Sequence, residues 1–174
     1  MKNLILGIVL LTTLSGCLRP DDIWAENTDS STLIFQSEYI NYAWGYNHNG
    51  WMLDNTGQVK RFQKTAKWVF PDSLGYVSAS DMQKNMAACD SVIAQISSNE
   101  LALYSEKAIS CLNYNMTKPQ NLMADAGEHI YAFYIYDFGG NRYKRVILKM
   151  RGDWSQENLA PNAGGIVDWM MKIK

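Results

Sequence analysis

Residues 130–150 read IYAFYIYDFGGNRYKRVILKM, and the fold class turns on them. Ile130 to Phe138 is a strand rich in aromatics. Tyr131 and Phe133 oppose Ile130, Tyr134 and Tyr136, so both faces are apolar, as in a central strand. Gly139-Gly140-Asn141 turns the chain, and Arg142 to Met150 returns it as an antiparallel partner. The two glycines read as a hairpin turn rather than a phosphate cradle.

Upstream, the apolar period changes from two to between three and four. Met82, Met86, Cys89, Ile93 and Ile96 form a helical stripe, predicting a helix from about Asp81 to Gln95 or Ile96. Ser80 and Gln83 have capping-box spacing, and Ser97 and Glu100 repeat it before a second helix ending near Leu112. That helix carries Leu101, Tyr104, Ala108 and Cys111 on one side. If the two helices pack antiparallel, Cys89 and Cys111 face each other and a disulfide is expected. Two free buried thiols are the alternative. No histidine lies on either helix to activate a catalytic thiol.

Further upstream, residues 32–46 read as a strand, with Leu33, Phe35 and Tyr39 on one face. Ile34, Ile40, Tyr42 and Trp44 lie on the other. Asn47-His48-Asn49-Gly50 is a turn by composition. Trp51-Met52-Leu53 and Gln58 to Phe62 flank Asp54-Asn55-Thr56-Gly57 as a hairpin, giving a three-stranded meander. Trp68-Val69-Phe70 reads as a further short strand. Residues 113–127 are a polar loop. Asn162 stands before a last helix with Ile166, Trp169, Met170 and Ile173 on one side. The expected fold class is α+β: a mainly antiparallel sheet with a central pair of disulfide-linked helices, a C-terminal helix, and the helices on one face.

Composition narrows the function. Apolar residues are 47% of the 174 and charged residues 19%, which excludes a disordered or coiled-coil chain. A formal net charge of −1 gives no footprint for nucleic acid. The N-terminus is Met1-Lys2-Asn3, then an apolar run from Leu4 to Leu11, then small residues. It reads as a secretory signal, too short to span a bilayer. Leu14-Ser15-Gly16-Cys17 resembles the lipobox of bacterial lipoproteins. That resemblance implies cleavage before Cys17, a diacylglyceryl group on its thiol and further acylation (such as palmitate) of the new amino group. Multiple chains matter, because one chain alone anchors marginally. Residues 1–16 are then the signal peptide, 17–31 a lipidated tether and 32–174 a single domain. Leu18 suits the outer membrane, on its periplasmic or surface side. Asn41-Tyr42-Ala43-Trp44-Gly45-Tyr46, followed by Gly50, Asp54 and Gly57, is similar to a segment of bacterial lipoproteins of no assigned activity.

The chemistry-bearing residues are few. His48 and His129 are the two histidines, and with a carboxylate from Asp54, Glu128 or Asp137 they suggest a hydrolase or metal-dependent site. Their spacing matches no metal motif, and no nucleophile-elbow, zinc-protease, Cys-x-x-Cys or P-loop pattern occurs. No catalytic residue, metal or cofactor is therefore assigned. The aromatic run Tyr42, Trp44, Tyr46 and Trp51 is the expected ligand contact, since flat rings bury area at low entropy cost. Arg145, Lys149 and Arg151 share a strand face with Tyr143 and Ile147. They either guard a sheet edge or meet an anionic lipid or polymer. The reading is a membrane-anchored binding module for an envelope protein or a cell-wall carbohydrate. An inhibitor presenting residues 113–127 to an envelope enzyme is a third reading.

Overall fold

The structure, a computed structural model, describes residues 33–63 and 67–173. The expected signal peptide, Cys17 and the tether lie outside them. The elements are β1 (Ile34–Asn41), β2 (Asn47–Leu53), β3 (Gln58–Gln63), β4 (Tyr76–Ser78), α1 (Ala79–Ala87) and β5 (Ser91–Gln95). Then follow α2 (Ser98–Ile109), β6 (Gln120–Asn121), β7 (Glu128–Asp137), β8 (Arg142–Gly152), β9 (Trp154–Glu157) and α3 (Ala163–Met170). One sheet runs β5-β3-β2-β1-β7-β8-β9-β6, with β4 also on β8. Its strand pairings are antiparallel. The expected α+β class, antiparallel sheet and C-terminal helix are all present. No helix among the described residues is long and apolar enough to cross a membrane.

Each face of the sheet carries its own core, because β1 and β7 are apolar on alternate and intervening positions alike. On one face Leu33, Phe35, Leu53, Val59, Phe133 and Ile135 pack with Ala108, Ile166, Trp169 and Met170. This is the α2/α3 face. Trp169 fixes it: its ring stacks on Tyr104 at 4.0 Å, meets Phe35 edge-on at 5.1 Å, and its Nε1 donates to Glu100 Oε1 at 2.7 Å. The other face buries Ile34, Met52, Phe62, Trp68, Val77, Met82 and Tyr134. This is the α1 face. The helices therefore do not all lie on one side of the sheet.

The predicted first helix is two elements. Ser78 caps α1, accepting from the Asp81 amide at 3.1 Å while its hydroxyl donates to the Asp81 carboxylate at 2.7 Å. The cap thus sits two residues before the Ser80–Gln83 pair. The helix stops after Ala87, and Ser91–Gln95 pairs with β3 instead. Val92 and Ile93 are β-branched, and β3 offers a free edge. That ladder outcompetes a helical stripe whose spacing would have continued. The expected disulfide falls with it. Cys89 and Cys111 are free, Cys89 beside the α1-face core and Cys111 within the α2/α3 core, so the sheet separates them. Burial pushes the Cys89 thiol up to about 11, which leaves it a poor nucleophile.

Three other expectations shift. Asn47 to Gly50 belongs to β2, and the turn is residues 42–46, where Asn41 Oδ1 accepts from the Ala43 amide and Gly45 takes φ +94°. Trp68-Val69-Phe70 is not a strand; the Asn85 side chain on α1 holds the Val69 backbone with two hydrogen bonds, 2.9 and 2.8 Å. Finally, β8 carries a bulge at Leu148, since Tyr131 opposes Lys149 and Ala132 opposes Ile147. The extra residue sends Arg145 to the α1 face and leaves Lys149 and Arg151 on the α2/α3 face. The three basic residues do not share a face.

Candidate functional site

The α2/α3 face is roofed over only part of its length. Directly opposed residues on β3, β2, β1 and β7 form cross-strand rows. Val59, Leu53, Phe35 and Phe133 make an apolar row beneath the helices. One pleat on, the row is Arg61, Trp51, Ser37 and Tyr131, and the next is Gln63, Asn49, Tyr39 and His129. The first of these rows is mixed, with Trp51 still in the apolar core, and the second is polar or polar-tipped on all four strands. The polar rows floor a cleft of about 520 Å³, closed on one side by Met170, Met171 and Ile173 at the end of α3. That volume suits a small-molecule site, as does a mixture of flat rings and hydrogen-bonding tips.

The floor is ordered by its own contacts. The His129 and Tyr131 rings stack at 5.1 Å and 7°, and the Tyr39 hydroxyl donates to the Ala126 carbonyl at 2.9 Å. Asn41 Nδ2 donates to the same hydroxyl at 3.0 Å and to the Asp125 carbonyl at 3.1 Å. These bonds tie the β1 end to the segment before β7 and hold the cleft wall. Trp51 is 9% exposed and forms floor rather than rim. Trp44 is 83% exposed and Tyr42 66%, and with Tyr46 they stand on the turn just past the Asn49–Tyr39 row. The Tyr42 and Tyr46 rings lie 5.6 Å apart.

The α1 face holds a second polar constellation, and it is sealed. Glu38 is 2% exposed and His48 0%. Glu38 Oε2 accepts from His48 Nε2 at 2.8 Å and from Gln36 Nε2 at 3.2 Å. Arg145 Nη1 donates to Glu38 Oε1 at 3.1 Å, and the Tyr134 hydroxyl donates to Gln36 Oε1 at 2.8 Å. Phe62, Trp68 and Phe70 surround the His48 ring at 4.9 to 5.1 Å. With Nε2 donating to the carboxylate, Nδ1 faces this apolar shell without a hydrogen-bond partner among the described residues. Glu38 and His48 are closed off from substrate, so the cluster reads as a structural network in which His48 Nδ1 alone among these groups is left unpaired.

The two histidines do not meet. His48 opposes Ile40 and His129 opposes Tyr39, so they project from opposite faces of the sheet. No three His, Cys, Asp or Glu side chains among the described residues converge as a metal site. Sequence reading singled out Trp51 and His129 but missed Ser37, Asn49, Arg61 and Gln63. The available signal was the break in same-face alternation, Leu33-Phe35 then Ser37-Tyr39, repeated on its neighbours.

His129 is exposed overall, but partial desolvation of its ring beside Tyr39 and Tyr131 holds the imidazole below its usual value, with the Glu38 charge opposing. The folded protein therefore resists a proton that the unfolded chain accepts near pH 6.5. Stability should fall as pH drops through that value and level off below the folded pKa. Glu128, raised by its own burial, acts in the opposite sense at lower pH. Urea midpoints at pH 7.5 and 5.5 should separate for the native chain and draw together in His129→Gln; parallel shifts in both would refute the assignment.

No family model, curated protein or solved structure matches the chain.

Proposed function

We propose that this protein is an envelope lipoprotein, anchored through Cys17, whose domain binds a cell-wall or other carbohydrate ligand in the cleft on the α2/α3 face, without catalysis. The passage along four adjacent strands from an apolar row, through a mixed one, to a row of polar tips carries this reading. A face meant only for packing would stay apolar or be evenly solvated, and this one is neither. The exposed rings of Tyr42, Trp44 and Tyr46 stand on the turn at the same end of β1, with Tyr46 on the α1 side 6.2 Å from the His48 ring, and offer a separate contact surface near the cleft. The direction of β1 also fits a tethered binder. The tether would enter at Ile34, and the eight residues of β1 place the aromatic turn roughly 26 Å away at the far end. The anchor supplies high effective concentration, so modest affinity in the cleft suffices.

The test is co-sedimentation of the full mature chain, in detergent, with purified sacculi and envelope polysaccharides. Asn49→Trp fills the cleft from an intermediate-exposure position and should reduce retention at least tenfold. Trp44→Ala should weaken it less. Retention unchanged in a folded Asn49→Trp variant would remove the cleft from the function. Cys17→Ala should move the protein to the soluble fraction, and continued membrane association would refute the tether.

A further inference from the structure

The two polar rows continue past β7 onto β8. His129 opposes Arg151, and Tyr131 opposes Lys149. The extended rows thus carry Arg61 on one flank and Lys149 and Arg151 on the other, with no carboxylate in either row. Lys149 is paired with Glu157 at 2.6 Å. Arg61 and Arg151 are both exposed, and neither enters an ion pair among the described residues. Arg61 lines the cleft, and Arg151 stands one strand beyond its lining, opposite His129.

Edge protection does not account for them. Basic residues blunt exposed sheet edges, but β3 is covered by β5 and β8 by β9, so both arginines stand on interior strands. Four strand spacings separate β3 from β8, roughly 19 Å at about 4.8 Å each. Two long side chains thus stand on the two flanks of an aromatic and amide floor, Arg61 in the cleft lining and Arg151 just beyond it.

The geometry points to a carboxylate-bearing oligosaccharide as the ligand, its acid groups held by Arg61 and Arg151 and its rings over Tyr39, Trp51 and Tyr131. This rests on the cleft being the binding site. A peptide is the poorer fit. The floor strands β1, β2 and β7 are flanked on both sides and β3 is paired with β5 as far as Arg61, so only the short Phe62–Gln63 end offers an edge to a peptide chain. Recognition must come from side chains, and Ser37, Asn49 and Gln63 supply the hydroxyl and amide tips that sugar hydroxyls need. Guanidinium groups add planar, two-pronged contacts to each carboxylate.

The experiment titrates the full mature chain, in detergent, with trigalacturonate and with neutral maltotriose. Trigalacturonate should bind at least tenfold more tightly, with affinity falling as sodium chloride rises. The double variant Arg61→Gln, Arg151→Gln should lose that preference; both positions are exposed, so folding is not at stake. Equal affinity for the two sugars would overturn the acidic ligand while leaving the cleft in place. A preference that survives in the double variant would overturn the role of the arginines. Trigalacturonate binding that persists in Asn49→Trp would remove the cleft itself. Binding of neither sugar would overturn the ligand class.

Discussion

Replacing Glu38 by alanine should cost about 3–5 kcal/mol of folding stability, the range seen when one partner of a buried ion pair is removed. Glu38 is the hub of the α1-face network: His48, Gln36 and Arg145 all donate to it. Its deletion strands the Arg145 guanidinium, whose side chain is 19% exposed, and leaves the buried His48 N–H unpaired. The loss is larger than the pair's net worth, because the stranded groups keep their desolvation cost. Glu38→Gln keeps the shape and one acceptor, so it should cost clearly less. Urea unfolding of both variants checks the ordering. A cost below roughly 1 kcal/mol for Glu38→Ala would show that the network is not assembled around this residue.

Gly50→Ala should be nearly as damaging, about 3 kcal/mol, at the upper end for an overpacked site. Gly50 lies on β2 between Glu38 of β1 and Phe62 of β3. An added methyl would fall on the Ser37 carbonyl and within 2.9 Å of the Glu38 Cα and the Phe62 ring. Ser37 and Glu38 are interior ladder residues, so their backbone cannot withdraw without loosening pairing on both sides. A glycine inside a strand marks such close backbone approach. The melting temperature should drop by several degrees, with the β1–β2 amides losing hydrogen-exchange protection first. An unchanged melting temperature would mean that the strands part easily at this point.

The long hairpin of β7 and β8 was legible because period, turn residues and apolar content agreed. So were the meander, the Ser97 cap of α2 and the last helix. The misreadings came where local pattern and tertiary demand diverge. Val92-Ile93 fits a helical stripe, and only the open edge of β3 makes it a strand. Asn47 to Gly50 has turn composition because His48 joins a buried network and Asn49 a cleft, and neither fact is local. The bulge at Leu148 leaves no mark on composition, yet it divides Arg145 from Lys149 and so divides the network from the cleft. The cleft residues were half visible. Trp51 stood out as an aromatic, whereas Arg61 and Gln63 look like ordinary solvated positions until four strands are set side by side.

Where α3 stops has a consequence for how such a site can change. After Met170 the chain tightens, with the Lys172 amide bonded to the Trp169 carbonyl and the Ile173 amide to that of Met170. A helical turn advances 5.4 Å, while two residues of strand advance about 6.7 Å. Met170, Met171 and Ile173 at this terminus line the cleft, so a change in the length of α3 would change how much of the floor is covered. The sheet itself would need no new register. The extent of the cleft then depends on a single helix terminus, a variable that insertions or deletions after α3 can adjust in steps while the rest of the core keeps its packing.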